Sequence, residues 1–264
     1  MKSVARHFFD LDAIGAGLVV ATARTELERA ASTGAMVVTA PPGTGKTTFV
    51  PPLIAHLVAE RAGERPADAP LPRVLLTQPR RVAVRAAARR ISQLDRSALG
   101  GPVGFTVRGE RKVGRDTQLE VLTPGVLLRR LISDPSLDDV GAVILDEIHE
   151  RSVDGDLLLG LIAEVRALRD DLIVVAMSAT LDAAHVAELL GAASGTGPAQ
   201  IVEVPSALFP LAIEYSPFVG ARLDERGVTR GFLAHLAAVA LASQRAAGTD
   251  ALVFVPGARE VDEV

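Results

Sequence analysis

The 264-residue chain contains no cysteine. That excludes disulfides, thiolate metal sites and a cysteine nucleophile, and it fits a reducing compartment. Tryptophan is also absent and aromatic residues make up only 3% of the sequence, so a base-stacking platform built on exposed aromatics is not expected. The formal net charge is −4, so any contact with a polyanion must come from local arginine clusters and not from a global basic field. Lysine is scarce: of 28 basic residues only Lys2, Lys46 and Lys112 are lysines. No apolar run is long enough to span a bilayer, so no membrane is expected as a partner. Lys2 and Arg6 precede an apolar stretch, Ala13–Ala23, that superficially imitates a secretory signal. Asp10 and Asp12 interrupt it, and the expected location is cytoplasmic. Hydrophobic residues make up 48%, enough to bury one large core or one core and part of another.

What the chain does contain is concentrated first in Met36–Thr48, MVVTAPPGTGKTT. Met36–Ala40 reads as a buried parallel strand, and Pro-Pro-Gly-Thr-Gly as a tight loop opening a helix at Lys46. This layout is a P-loop. Gly43 and Gly45 let the backbone turn with its N–H groups inward, and the helix start adds partial positive charge. Lys46 reaches the outer phosphates, and the Thr47 hydroxyl can ligate magnesium. Pro42, Thr44 and Thr48 complete the expected nucleotide-binding set. The expected ligands are ATP, or another nucleoside triphosphate, with Mg2+ and no other metal. Ala40 stands where the general G-x-x-x-x-G-K-[ST] pattern has its first glycine, and it is small enough for a strand end. In a chain that uses arginine almost everywhere, a lysine at 46 marks a place for a compact ammonium instead of a planar fork.

Beyond the P-loop helix, residues 60–72 are rich in charge, alanine and proline and read as a surface loop. Arg73–Thr77 is a second apolar strand that runs into Gln78-Pro79-Arg80-Arg81. The helix that follows carries Arg85, Arg89 and Arg90 near the same face as Arg81. Such a run is usually a solvated face. A ligand role is favoured because Arg80 and Arg81 are expected at the C-terminal end of a strand beside the P-loop strand, where open α/β sheets bind ligands. Further strands are expected at Val103–Arg108 and Gln118–Leu122, and a helix from Thr123-Pro124-Gly125 to about Asp134.

Gly141–Leu145 is another buried strand, and it delivers Asp146-Glu147-Ile148-His149. An apolar strand ending in two carboxylates, in a chain with a P-loop, is a Walker B arrangement. Asp146 would hold magnesium, and Glu147 would position or deprotonate the attacking water. A zinc reading of His149-Glu150 fails, because H-E-x-x-H needs a second histidine at 153 and that residue is Val153. A helix over Asp154–Arg169 and a strand over Leu172–Met177 follow, with Ser178-Ala179-Thr180 at the strand tip beside Walker B.

The string PPGTGKT fits an AAA+ ATPase as well as a helicase. Asp146, however, lies 100 positions after Lys46, which leaves room for two extra strand-helix units carrying TQPRR and TPG. In APPGTGKTT, TQPRRVAVRAAARRIS, LTPGVLLRRL, DEIHERSVDGDLLLGL and SAT, in that order, the chain resembles the DEAH-box branch of superfamily 2 helicases. The first of these strings and LVFVPGAREV look most like the bacterial HrpB-type members. Ile148 departs from the alanine of the family motif, an apolar exchange that leaves both acids in place. The resemblance implies an α/β fold: a RecA-like P-loop NTPase domain with a mostly parallel sheet sandwiched by helices, plus the start of a second RecA-like domain. It implies catalytic roles for Lys46, Asp146, Glu147 and His149 and metal ligation by Thr47 and Asp146. Ser178, Ala179 and Thr180 would couple the phosphate site to domain movement. Arg80, Arg81, Thr123 and Gly125 would touch the backbone of single-stranded RNA or DNA, with one of the arginines alternatively stacked on the nucleobase. DEAD-box relatives read adenine with a glutamine upstream of the P-loop. The first glutamine here is Gln78, so base selectivity is expected to be loose.

On this reading 1–205 form the ATP-binding domain, 206–228 a linker and exit strand, and 229–264 the opening of the second domain. Residues 200–217 read as two strands around Phe209-Pro210, Thr229–Ala247 as a helix and Asp250–Pro256 as a strand. The family's later motifs, with their arginine fingers, are not reached by Val264. Loss of such a finger costs about 10³ to 10⁵ in turnover, or roughly 4 to 7 kcal/mol. The chain alone is therefore expected to bind nucleotide, hydrolyse it poorly and not unwind, with the second RecA-like and C-terminal domains of a parent helicase as missing partners. Two other readings stay open: an AAA+-type mechanical ATPase, and a nucleotide-binding module without turnover.

Overall fold

Eight short segments between Ala35 and Glu203 pair into one sheet, and their order decides which loops become neighbours. The computed structural model describes residues 7–62, 72–179, 183–192, 195, 197–205, 211–225 and 227–264. They fall in two compact units, Met1–Leu208 and Phe209–Val264. In the first unit the strands are β1 (Ala35–Thr39), β2 (Arg73–Thr77), β3 (Val103–Val107), β4 (Glu110–Lys112), β5 (Leu119–Leu122), β6 (Val140–Leu145), β7 (Ile173–Ser178) and β8 (Gln200–Glu203). Across the sheet they run β4-β3-β5-β2-β6-β7-β1-β8. Every pairing is parallel except β3 with β4. The helices are α1 (Leu11–Gly15), α2 (Arg24–Ser32), α3 (Lys46–Arg61), α4 (Arg81–Leu94), α5 (Pro124–Ser133), α6 (Val153–Leu168) and α7 (Ala183–Ala192).

The central strands are apolar at nearly every position, as a parallel sheet covered on both faces requires. The two-residue period of a strand still sorts them. Met36, Val38, Leu76, Ile144 and Val175 join a core with Ile14, Leu27, Phe49, Leu53 and Ile91 from α1 to α4. Val37, Leu75, Val143, Leu145 and Val174 join a second core with Leu127 of α5, Leu158 and Ile162 of α6, and Leu190 of α7. Helix α3 continues through Pro51 and Pro52, which are buried. Those prolines supply no N–H to the carbonyls of Thr47 and Thr48, so packing on the sheet, more than the helix ladder, holds the first turns.

Because the strands are parallel, the C-terminal ends of β1, β2, β5, β6 and β7 share one edge. The register is Thr39 beside Ser178, Ala176 beside Leu145, Leu145 beside Thr77 and Thr77 beside Leu122. All the singled-out loops leave from this edge. The expected adjacency of β2 to the P-loop strand does not hold. β2 lies between β5 and β6, with β6 and β7 separating it from β1. Two local features have local causes. Gly17 takes φ 74°, and a 3-10 turn at Val19–Ala23 separates α1 from α2. β4 is a wholly exposed Glu-Arg-Lys strand with no apolar alternation to announce it, turned back on β3 at Gly109 with φ 85°. Of the surface loop read over 60–72, residues 63–71 lie outside the described residues, as do Phe209-Pro210.

In the second unit a two-residue hairpin, β9 (Leu223–Asp224) with β10 (Gly227–Val228), precedes α8 (Arg230–Ala247) and α9 (Ala258–Glu263). Thr229 caps α8, its hydroxyl accepting from the Phe232 N–H, and Gly248 ends it at φ 65°. Asp250–Pro256 and residues 211–217 are not strands. Leu252 and Phe254 are more than 80% exposed. An extended apolar segment becomes a strand only when a neighbour takes its backbone N–H and C=O groups. Among the described residues of this unit no such neighbour is paired with it. No described helix is long and apolar enough to cross a membrane.

Candidate active site

The P-loop leaves β1 at Ala40, whose N–H donates to the Ser178 carbonyl. Ala40 is not among the residues with positive φ, so the alanine in place of glycine is free of strain there. Gly43 and Gly45 do need their residue type, at φ 82° and 90°. A Cβ on Gly45 would also stand 2.9 Å from the Leu18 side chain. The preceding segment closes over the loop, with the Val20 N–H donating to the Thr44 carbonyl at 3.1 Å. Lys46 opens α3, is 5% exposed and points its Nζ to within 3.6 Å of Glu147 Oε1.

The Asp146-Glu147 segment meets the P-loop through Thr47, whose hydroxyl donates to Asp146 Oδ2 at 2.5 Å. The Gln78 amide donates to the same oxygen, also at 2.5 Å. Oδ1 accepts from the Glu147 N–H at 2.8 Å. Glu147 sits at φ 54° and Arg151 at φ 40°, two left-handed non-glycine residues bracketing the short turn Ile148–Glu150. Strain of this kind persists only where surrounding contacts fix it. Arg151 is held by Asp156 at 3.0 Å, and Glu147 by Lys46 on one oxygen and His149 Nε2 at 3.4 Å on the other. His149 Nδ1 accepts from the Ala179 N–H at 3.4 Å, so the ring bridges the turn after Asp146 to the strand tip after β7. Ser178 is fully buried there. Thr180 lies outside the described residues.

The Asp146 carboxyl is pushed up to about 6, chiefly by burial. The bond from Thr47 and the Lys46 charge act the other way, and the negative charge of Glu147 adds to the rise. A carboxylate that holds its charge at a cost, beside a hydroxyl, fits a hard divalent cation. Among the described residues no three His, Asp or Glu side chains gather as in an all-protein metal cage. Magnesium does not need one, since it retains waters and phosphate oxygens and takes one or two protein oxygens. Thr47 and Asp146 could supply those two.

Farther along the same edge is an open groove of about 480 Å³, with Arg81, Thr123 and Gly125 in its lining. Arg108, Arg129 and Asp154 also line it; sequence reasoning singled out none of these three. Arg108 and Arg129 come from the β3–β4 turn and α5, so only tertiary folding brings them to Arg81. The Thr123 hydroxyl makes no capping bond at the start of α5, and a side chain on Gly125 would press on Asp154. Arg80 is not among the groove residues; it donates to Glu150 at 3.1 Å.

The family model described as DEAD/DEAH box helicase matches residues 23–189. The chain is 37% identical, over 232 residues, to the Escherichia coli ATP-dependent RNA helicase HrpB, covering 87% of this chain and 26% of that protein. It is 38% identical, over 141 residues, to the probable ATP-dependent RNA helicase DHX35 homolog of Caenorhabditis elegans, covering 53% of this chain and 18% of the relative. It thus spans about a quarter or less of the length of these relatives. The crystal structure of the Escherichia coli DEAH/RHA helicase HrpB superposes with a TM-score of 0.71 at 34% identity, over 94% of this chain and 29% of that one. That match bears out a RecA-like fold with a mostly parallel sheet between helices. With the P-loop and the DEIH segment both inside residues 23–189, which the family model matches, the chain belongs to the DEAD/DEAH box helicase family.

Proposed function

We propose that this chain carries the ATP-binding half of a DEAH-type ATP-dependent RNA helicase. The observation that supports it best is the meeting of Thr47, Lys46, Asp146 and Glu147 at one sheet edge that also bears an arginine-lined groove. In this reading Gly43, Thr44 and Gly45 fold the loop around the phosphates, with Pro42 and Thr48 flanking it. Lys46 neutralises the outer phosphates, and Thr47 and Asp146 hold Mg2+. Bound there, magnesium supplies charge neutralisation for the transferring phosphoryl group. Glu147 orients the attacking water, its carboxylate aligned by Lys46 and His149. His149 and Ser178-Ala179-Thr180 relay changes at the phosphates to the strand tip. Arg80, Arg81, Thr123 and Gly125 hold the sugar-phosphate backbone of single-stranded RNA or DNA. Further domains of a longer helicase would complete the site with arginine fingers, and the place of action is the cytoplasm. Alone, the chain binds nucleotide with loose base selectivity, turns it over slowly and does not unwind.

The test is calorimetry of ADP with Mg2+, together with phosphate release from radiolabelled ATP in the presence and absence of poly(U). Mg2+-dependent binding that Lys46→Ala removes, with slow release raised by poly(U), is expected. Absence of Mg2+-dependent binding would sink the reading.

A further inference from the structure

We infer that Gln78 is a positioning residue for the magnesium carboxylate, holding Asp146 from the TQPRR segment. This rests on the magnesium-nucleotide reading above and adds a residue to it. Gln78 is 4% exposed and directly follows Thr77, the last residue of β2, which stands between Leu122 and Leu145 in register. A buried amide costs free energy unless its polar atoms are used. Its Nε2 is used on Asp146 Oδ2. Only the nitrogen end can donate to a carboxylate, which fixes the orientation of the amide. Its main-chain N–H donates to the Leu122 carbonyl at 2.9 Å, so the residue is anchored to the tip of β5 as well.

Among the described residues three groups donate to Asp146, and they differ in what else they must do. The Thr47 hydroxyl belongs to the cation set itself, so its bond to Asp146 competes with ligation. The Glu147 N–H belongs to the adjacent peptide, in a loop already at φ 54°. Gln78 comes from a different strand and has no competing duty toward the cation. It therefore sets the carboxylate's direction when Thr47 is drawn away. Pro79 and Arg81, one and three positions on, line the groove, so a strand seated there acts on the segment that carries the amide.

The experiment titrates ADP into the 264-residue chain by calorimetry, across a Mg2+ series and in EDTA, for wild type, Gln78→Met and Gln78→Asn. Methionine keeps the length without the donor; asparagine keeps the donor but withdraws it by one methylene. Both are expected to raise the Mg2+ midpoint about 10- to 100-fold, with ADP affinity in EDTA unchanged. An unmoved midpoint in a folded variant, judged by circular dichroism, overturns the role of Gln78. So does an equal loss of affinity in EDTA, which would mean a distorted P-loop. If neither variant folds, Gln78 is only structural and the inference also falls. A wild type with no Mg2+ dependence at all would instead count against the underlying magnesium-nucleotide reading.

Discussion

The two halves of the functional edge are built in opposite ways. At the P-loop end Lys46 and Asp146 are each 5% exposed and lie close to one another. Beside the groove the Arg80 side chain is 75% exposed and pairs with Glu150 at the surface. Charges held out of water act at fixed geometry and carry a large desolvation cost, so single atoms matter. Exposed charges are screened, individually weak and collectively strong. The same sheet edge thus combines a site decided by position with a surface decided by field.

The sharpest way to break this contrast is at Lys46. Lys46→Ala should lower Mg2+-ADP affinity at least 100-fold, about 2.7 kcal/mol, read by calorimetry. A loss below fivefold would mean that the buried end is no more position-dependent than the groove.

Asp146 gives the next effect, with a sign that a purely structural residue would not have. Its carboxyl holds a proton up to about 6 in the folded chain against an ordinary 3.8. Between those values the folded state binds more protons than the unfolded one, so stability falls as pH rises through that window. Above it the buried charge costs on the order of 3 kcal/mol. Asp146→Asn removes that cost but loses the bond from the Glu147 N–H, worth about 1 to 1.5 kcal/mol. The net expectation in EDTA at pH 8 is a chain more stable to urea by about 1.5 kcal/mol, no longer stabilised by Mg2+-ADP. A destabilised variant would show that the bonds, not the desolvation, dominate.

At the groove, Arg81→Ala should weaken poly(U) binding by about 1 kcal/mol and reduce the salt slope by about 0.7, leaving ADP affinity untouched. Fluorescence anisotropy at several salt concentrations measures both. The smallest effect is expected from Glu150→Ala. It breaks an exposed pair and should move the urea midpoint by less than about 0.5 kcal/mol, while frees Arg80 to bind poly(U) slightly more tightly. A large stability loss there would make the Glu147–Arg151 turn part of the buried site.

Much of this was readable in the sequence, because the signals are local. The P-loop strand, the helix starting at Lys46 and the strand delivering Asp146-Glu147 follow from apolar runs and glycines. LIVVAM and DALVFVP look alike as strings, yet only the first is a strand. Ile173–Ser178 lies between β6 and β1, which complete its hydrogen bonds on both sides; Asp250–Pro256 has no paired neighbour among the described residues. Periodicity cannot report that difference, since it resides in another part of the chain. The position of β2 away from β1 was equally invisible, because sheet order follows from how the crossovers stack.

The sequence by itself determined the local chemistry: which residue types stand at strand ends, that Gly43 and Gly45 can adopt left-handed backbone, and therefore the family. The tertiary structure alone decided the partnerships. Gln78 with Asp146, Arg108 and Arg129 with Arg81, and Glu150 with Arg80 join residues from different loops. The physical reason is that conformational preference is encoded within a few residues, whereas a contact needs two distant segments brought to the same edge by the sheet between them.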